Sequence, residues 1–222
     1  MSLKQYSPRP PRLLIFLLCI LLLPSQARGA ADDSHKKGQT QAQGAADDSP
    51  KRGQLVIIKE KTSGSWPIKL KVSLFVEVPQ KILWRVLTDY KGLDEYVPHL
   101  KKCTIADRKG DKVFLEQTYR YFPLTMHLGL EIKEEPPNRI VFDSYSGNMK
   151  TYKGYWKLEP VHSKSTVFTM EVEAEPNFPV PHTIMAWVLE SELPKGLLAM
   201  RERALKISGQ PVPTYPIKVL TR

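Results

Sequence analysis

Two stretches of the chain alternate strictly between apolar and polar residues. Leu124, Met126, Leu128, Leu130 and Ile132 are separated by Thr125, His127, Gly129 and Glu131. Phe168, Met170, Val172 and Ala174 stand against Val167, Thr169, Glu171 and Glu173. Period-two alternation predicts strands with one buried face. The region from about Pro181 to Ile207 has a different period. Met185, Leu189, Leu193, Gly196, Met200, Ala204 and Ile207 recur at steps of three and four, one face of a long helix. Pro194 removes one backbone hydrogen bond there and predicts a kink near Glu190. A long helix that follows an antiparallel sheet must bury its stripe on that sheet. The expected fold is therefore α+β, a curved antiparallel sheet around a C-terminal helix, with space left between them.

The other elements fit that plan. Residues 66–78 alternate, with Ile68, Leu70, Val72, Leu74 and Val76 on one face. Pro79 opens a helical stretch with Ile82, Leu83, Val86 and Leu87 as its stripe, and Gly92 leads to a second short helix over LDEYVPHL. Further strands are expected at about 103–108, 112–122, 139–145 and 150–158. Short turns such as Lys109-Gly110-Asp111 and Ser146-Gly147-Asn148 separate them. Connections this short imply an antiparallel meander.

The N-terminal quarter is built differently. Lys4, Arg9 and Arg12 precede an unbroken apolar run, Leu13–Leu23, then Pro24 and the small residues Ser25 and Ala27. This is the layout of a secretory signal peptide over 1–27, with cleavage expected after Ala27 and a mature start at Arg28. An uncleaved anchor is the competing reading, but a span takes about 20 apolar residues. Export places the protein in a periplasmic or secreted compartment. In residues 28–54, GAADDSHKKGQ returns as GAADDSPKRGQ after a period of 15 residues. These copies have no large apolar side chains, so they read as a disordered linker. The folded domain is then 55–207, with an extended tail at 208–222.

Apportioning charge and cysteine narrows the classes. The chain carries a net +10. The signal holds three of those charges and the linker one, so six are spread over residues 55–222. No basic run interleaved with aromatics is present, so nucleic acid is not an expected partner. Loss of Cys19 with the signal would leave Cys103 alone. It reads as a half-buried strand residue whose pKa Lys101 and Lys102 could lower.

The stretch VEVPQKILWRVLTDYKGLDEYVPHLKKC resembles the opening of the polyketide cyclase/dehydrase and coenzyme-Q-binding branch of the START-like (SRPBCC) superfamily. KEEPPNRIVF, YKGYWKLEPV and STVFTMEVEAEP fit that group's strands, and ELPKGLLAMRERALK its closing helix. The resemblance covers about 65–207. It implies a helix-grip (START-like/Bet v 1-like) fold with a hydrophobic cavity between sheet and helix. It does not settle function, because the superfamily includes carriers, cyclases and hydrolases.

No nucleophile elbow, P-loop, dinucleotide fingerprint or metal-ligand spacing occurs, so no cofactor or metal is expected and no catalytic residue is assigned. His127 falls on the outer face of its strand, and His99 reads as a surface or capping histidine. Glu171, Glu173 and Glu175 read as a solvated ladder. The informative residues are aromatic and sulfur-bearing. Tyr119, Tyr121, Trp156, Met170, Met185, Leu189 and Met200 are the expected cavity walls. The competing reading is that they simply fill a core. The expected protein is an exported monomer that binds a hydrophobic small molecule (lipid, isoprenoid/quinone or polyketide-like) without catalysis. Transient contact with a membrane surface is part of that expectation. A cyclase/dehydratase-type enzyme and a partner-binding module are the alternatives.

Overall fold

The computed structural model describes residues 49–60, 64–122 and 124–222. The signal peptide and nearly all of the linker lie outside the described residues. A nine-stranded sheet dominates, in the order β3-β4-β5-β6-β7-β8-β2-β1-β9. The strands are β1 Gln54–Lys59, β2 Ile68–Val76, β3 Leu100–Lys109, β4 Lys112–Tyr121 and β5 Leu124–Glu135, then β6 Arg139–Gly147, β7 Met149–His162, β8 Ser165–Pro176 and β9 Lys218–Thr221. From β3 to β8 the chain is a continuous meander, and β2 closes antiparallel on β8. Register shifts between β3 and β4 and between β5 and β6 bend the sheet.

The alternating residues bury the face they predict. Met126, Leu128, Leu130 and Ile132 are all buried, as are Leu70, Val72, Leu74 and Val76. The outer face is polar and paired: Glu171 accepts from the Tyr155 hydroxyl at 2.6 Å, and Glu175 meets Lys150 at 2.8 Å. His127 is exposed on this outer face.

Helix α1 spans Gln80–Thr88, with Pro79 as its N-cap and Leu83, Val86 and Leu87 buried. A 3-10 turn at Tyr90–Gly92 runs into α2, Leu93–Tyr96, shorter than the sequence led us to expect. The C-terminal helix is three pieces: α3 His182–Trp187, a π turn Val188–Glu192, and α4 Leu193–Ile207. Pro194 lies in the first turn of α4, where it needs no donor partner. The π turn is where the ladder absorbs the proline. Ile207 is 40% exposed, so the buried face does not reach the helix end. Among the described residues no helix is long and apolar enough to cross a membrane.

The tail is more than an extension. Strand β9 pairs in parallel with β1, and Tyr215 reaches back to the core of the domain. Arg201 on α4, 3% exposed, donates to both carboxylate oxygens of Glu77 at 2.9–3.0 Å and to the Tyr215 hydroxyl at 3.3 Å. Tyr215 in turn donates to Glu77. Removing one partner of a buried ion pair strands the other. Arg201→Ala is expected to cost about 3 kcal/mol, read as a lower urea midpoint with unchanged slope.

Candidate functional site

The inner face of the sheet and the C-terminal helix do not meet completely. Between them lies a cavity with about 70 Å3 of free space, inside a hollow of about 810 Å3 that includes its open mouth. Strand alternation sends Leu115, Gln117, Tyr119 and Tyr121 of β4 into it. Phe142 of β6, Tyr152 and Trp156 of β7, and Met170 of β8 form the far wall. The helical side is Leu189, Leu193, Gly196, Leu197 and Met200.

Of the seven expected wall residues, six lie on this cavity: Tyr119, Tyr121, Trp156, Met170, Leu189 and Met200. Met185 does not. It is fully buried in the core on α3, before the π turn. A π turn carries more residues per turn than an α-helix, so a constant period projected across it misplaces what lies on its far side. Tyr152, Gln117, Phe142 and Glu192 also line the cavity without having been chosen as wall residues. Glu192 had a legible signal: it is a charged residue at i+3 from Leu189 and i−4 from Gly196, inside an apolar stripe.

Aromatic packing orders the walls. The Phe142 ring lies 5.6 Å from Tyr152 and 6.1 Å from Trp156, and Trp156 meets Phe168 edge-on. Tyr119 and Tyr121 are parallel with centroids 6.0 Å apart. Trp156 Nε1 is buried and has no hydrogen-bond partner among the described residues. Cys103 is buried behind this wall and its sulfur accepts from Gln117 at 3.4 Å. Burial pushes its thiol pKa up, against the sequence-based expectation of a lowering by Lys101 and Lys102, both of which are exposed.

The mouth is polar. The Glu192 side chain is only 4% exposed, yet Lys195 Nζ lies 2.7 Å from its Oε1 and His99 Nε2 lies 3.0 Å from its Oε2. His99 has φ 64°, a left-handed conformation uncommon for a residue with a side chain. Its Nδ1 donates to the Arg120 carbonyl at 3.1 Å and its ring packs 4.9 Å from Tyr121. One histidine thus ties together the loop after α2, the end of β4 and the π turn. Val97 and Pro98, just before it, line the cavity.

The cavity phenols are held neutral. Burial raises Tyr152 to about 12 and Tyr121 further, with the Tyr152 phenol and the Glu192 carboxylate adding to the rise at Tyr121. Tyr119 is raised well above its ordinary value, first by burial and then by Tyr152 and Tyr121. Neutral phenols are able to donate hydrogen bonds to a ligand and do not serve as phenolate bases near neutrality. In base the unfolded chain releases tyrosine protons from about pH 10, while the folded chain keeps them. Folding stability is therefore expected to fall as pH rises above about 10. Absorbance at 295 nm should show the buried tyrosines ionising only with unfolding.

Among the described residues no group of three or more His, Cys, Asp or Glu side chains is placed to hold a metal. What the site offers is an apolar container with donors in its wall and a carboxylate at its mouth.

An antiparallel sheet gripping a C-terminal helix over an apolar cavity defines the START-like helix-grip class. The chain belongs to the polyketide cyclase/dehydrase and lipid transport family, whose profile matches residues 76–201. Among solved structures it is similar to the Zhui aromatase/cyclase of a Streptomyces species, with TM-score 0.59 and 13% identity over 64% of this chain and 98% of that one. Human STARD10 aligns with TM-score 0.58 and 15% identity over 68% of this chain and 74% of its own. A START superfamily protein from Mycobacterium smegmatis gives TM-score 0.57 and 15% identity, over 63% and 98%. At these identities the likeness speaks for the fold. A comparison with curated proteins finds no match.

Proposed function

We propose that this protein is an exported, monomeric, non-catalytic carrier of a hydrophobic small molecule, held between the sheet and α4. The observation that carries this reading is the apolar cavity itself, walled by both the meander and the helix. Family membership supports hydrophobic ligands in general, and the tripartite N terminus supports export. Ligand pockets usually measure about 300–1,000 Å3, so a cavity with about 70 Å3 of free space must widen on loading. Met126, Met170 and Met200 in the walls repack at low cost, and the π turn is a natural yielding point.

Phe122, 95% exposed, follows the lining residue Tyr121, and Trp187, 53% exposed, precedes Val188. Both support brief contact with a membrane surface during exchange. The enzyme alternative draws on the His99–Glu192 pair at the mouth. Native mass spectrometry of protein purified from its own envelope tests the carrier reading. The expected spectrum shows a chain starting at Arg28 with a lipophilic molecule bound. An intact Met1 would refute export, and an empty protein would refute the carrier.

A further inference from the structure

The cavity presents polar groups of both kinds. Its wall holds donors: the Trp156 N–H, buried and without a partner among the described residues, and the Tyr152 and Tyr119 hydroxyls. Trp156 is half-buried and contacts Phe142 and Phe168, 2% and 0% exposed, so its indole borders the core. At the mouth sits an acceptor. Glu192 is a buried carboxylate whose Oε2 accepts no hydrogen bond among the described residues, although His99 lies close to it.

A buried donor without an acceptor is costly, and so is a buried carboxylate oxygen without a donor. Both costs fall if the occupant brings the missing partners. We infer that the ligand is a neutral, largely apolar molecule with a carbonyl-type oxygen facing the Trp156 N–H and a hydroxyl facing Glu192, and that Glu192 excludes carboxylic acids. This inference rests on the carrier reading above.

The exclusion follows from charge. A ligand carboxylate at the mouth would face the Glu192 carboxylate in a poorly solvated setting, where like charges repel strongly. The nearest lysine ammonium, that of Lys195, is already paired with Glu192 Oε1. The Trp156 N–H discriminates differently. An alkane leaves it unsatisfied, whereas a ketone oxygen accepts from it.

The test is displacement of an environment-sensitive apolar dye by four straight-chain probes of equal length: an alkane, a methyl ketone, a hydroxyketone and a carboxylic acid. The hydroxyketone is expected to bind tightest and the acid at least about tenfold more weakly than the ketone. Trp156→Phe should narrow the ketone-over-alkane preference, and Glu192→Gln should narrow the penalty on the acid. The wild-type ratios stand even if a variant misfolds. Equal displacement by all four probes would overturn the inference and leave the carrier reading in place. An acid that binds as well as the ketone would do the same. Failure of every probe to displace the dye would overturn both.

Discussion

Gly196→Leu is expected to close the cavity and abolish uptake of apolar ligands while the fold persists. Gly196 sits on α4 facing the cavity, and a Cβ built there meets only the Val97 Cγ1, at 3.9 Å. The first added carbon therefore fits without strain. The rest of the leucine projects into the cavity between the helix and the sheet and narrows it. In the helix, leucine also replaces the residue that loses most backbone entropy, a gain of up to about 1 kcal/mol. Ligand affinity should drop at least about a hundredfold, roughly 2.7 kcal/mol, with the thermal midpoint unchanged or raised. Unaltered binding in a stable Gly196→Leu protein would mean that ligands sit elsewhere.

Gly154→Ala is expected to damage the fold itself. Gly154 lies in β7 between the inward residues Tyr152 and Trp156, paired with Val172 of β8. A Cβ there would stand 1.9 Å from the Glu171 carbonyl oxygen and 2.9 Å from the Phe142 ring. Neither neighbour can give way cheaply. The carbonyl belongs to the β7–β8 ladder, and Phe142 packs between Tyr152 and Trp156 at the heart of the cavity wall. Overpacking of this kind costs about 3 kcal/mol or more, and here it also moves the wall. Urea unfolding should show the loss. A midpoint within error of the parent would contradict the packing described for this strand.

Much of this architecture was legible because its signals are local. The alternation in β5 and β8, the apolar stripe of α1 and the turn residues between strands each act within about ten residues. Two strands were not legible. LVII in β1 and KVLT in β9 are too short to show alternation; β1 is held by β2, and β9 exists because β1 lies beside it, some 160 residues away in sequence. The same holds at the site. Tyr119, Trp156 and Met200 could be placed from strand and helix period alone. Met185 could not, because the π turn between it and Leu189 breaks the period. His99 was visible only as a surface or capping histidine, because its left-handed backbone and its link to Glu192 depend on three separate elements coming together.

The central claim is that an apolar ligand sits between the sheet and α4. Photo-crosslinking with an apolar diazirine-bearing ketone, followed by peptide mapping, tests it most directly. Labels are expected on the inner-face residues of β4, β5 and β7 and on the Leu189–Met200 stretch, and they should disappear in Gly196→Leu. Labels confined to the outer face, around Lys69, Arg139 and Glu173, or labelling that persists in Gly196→Leu, would contradict it.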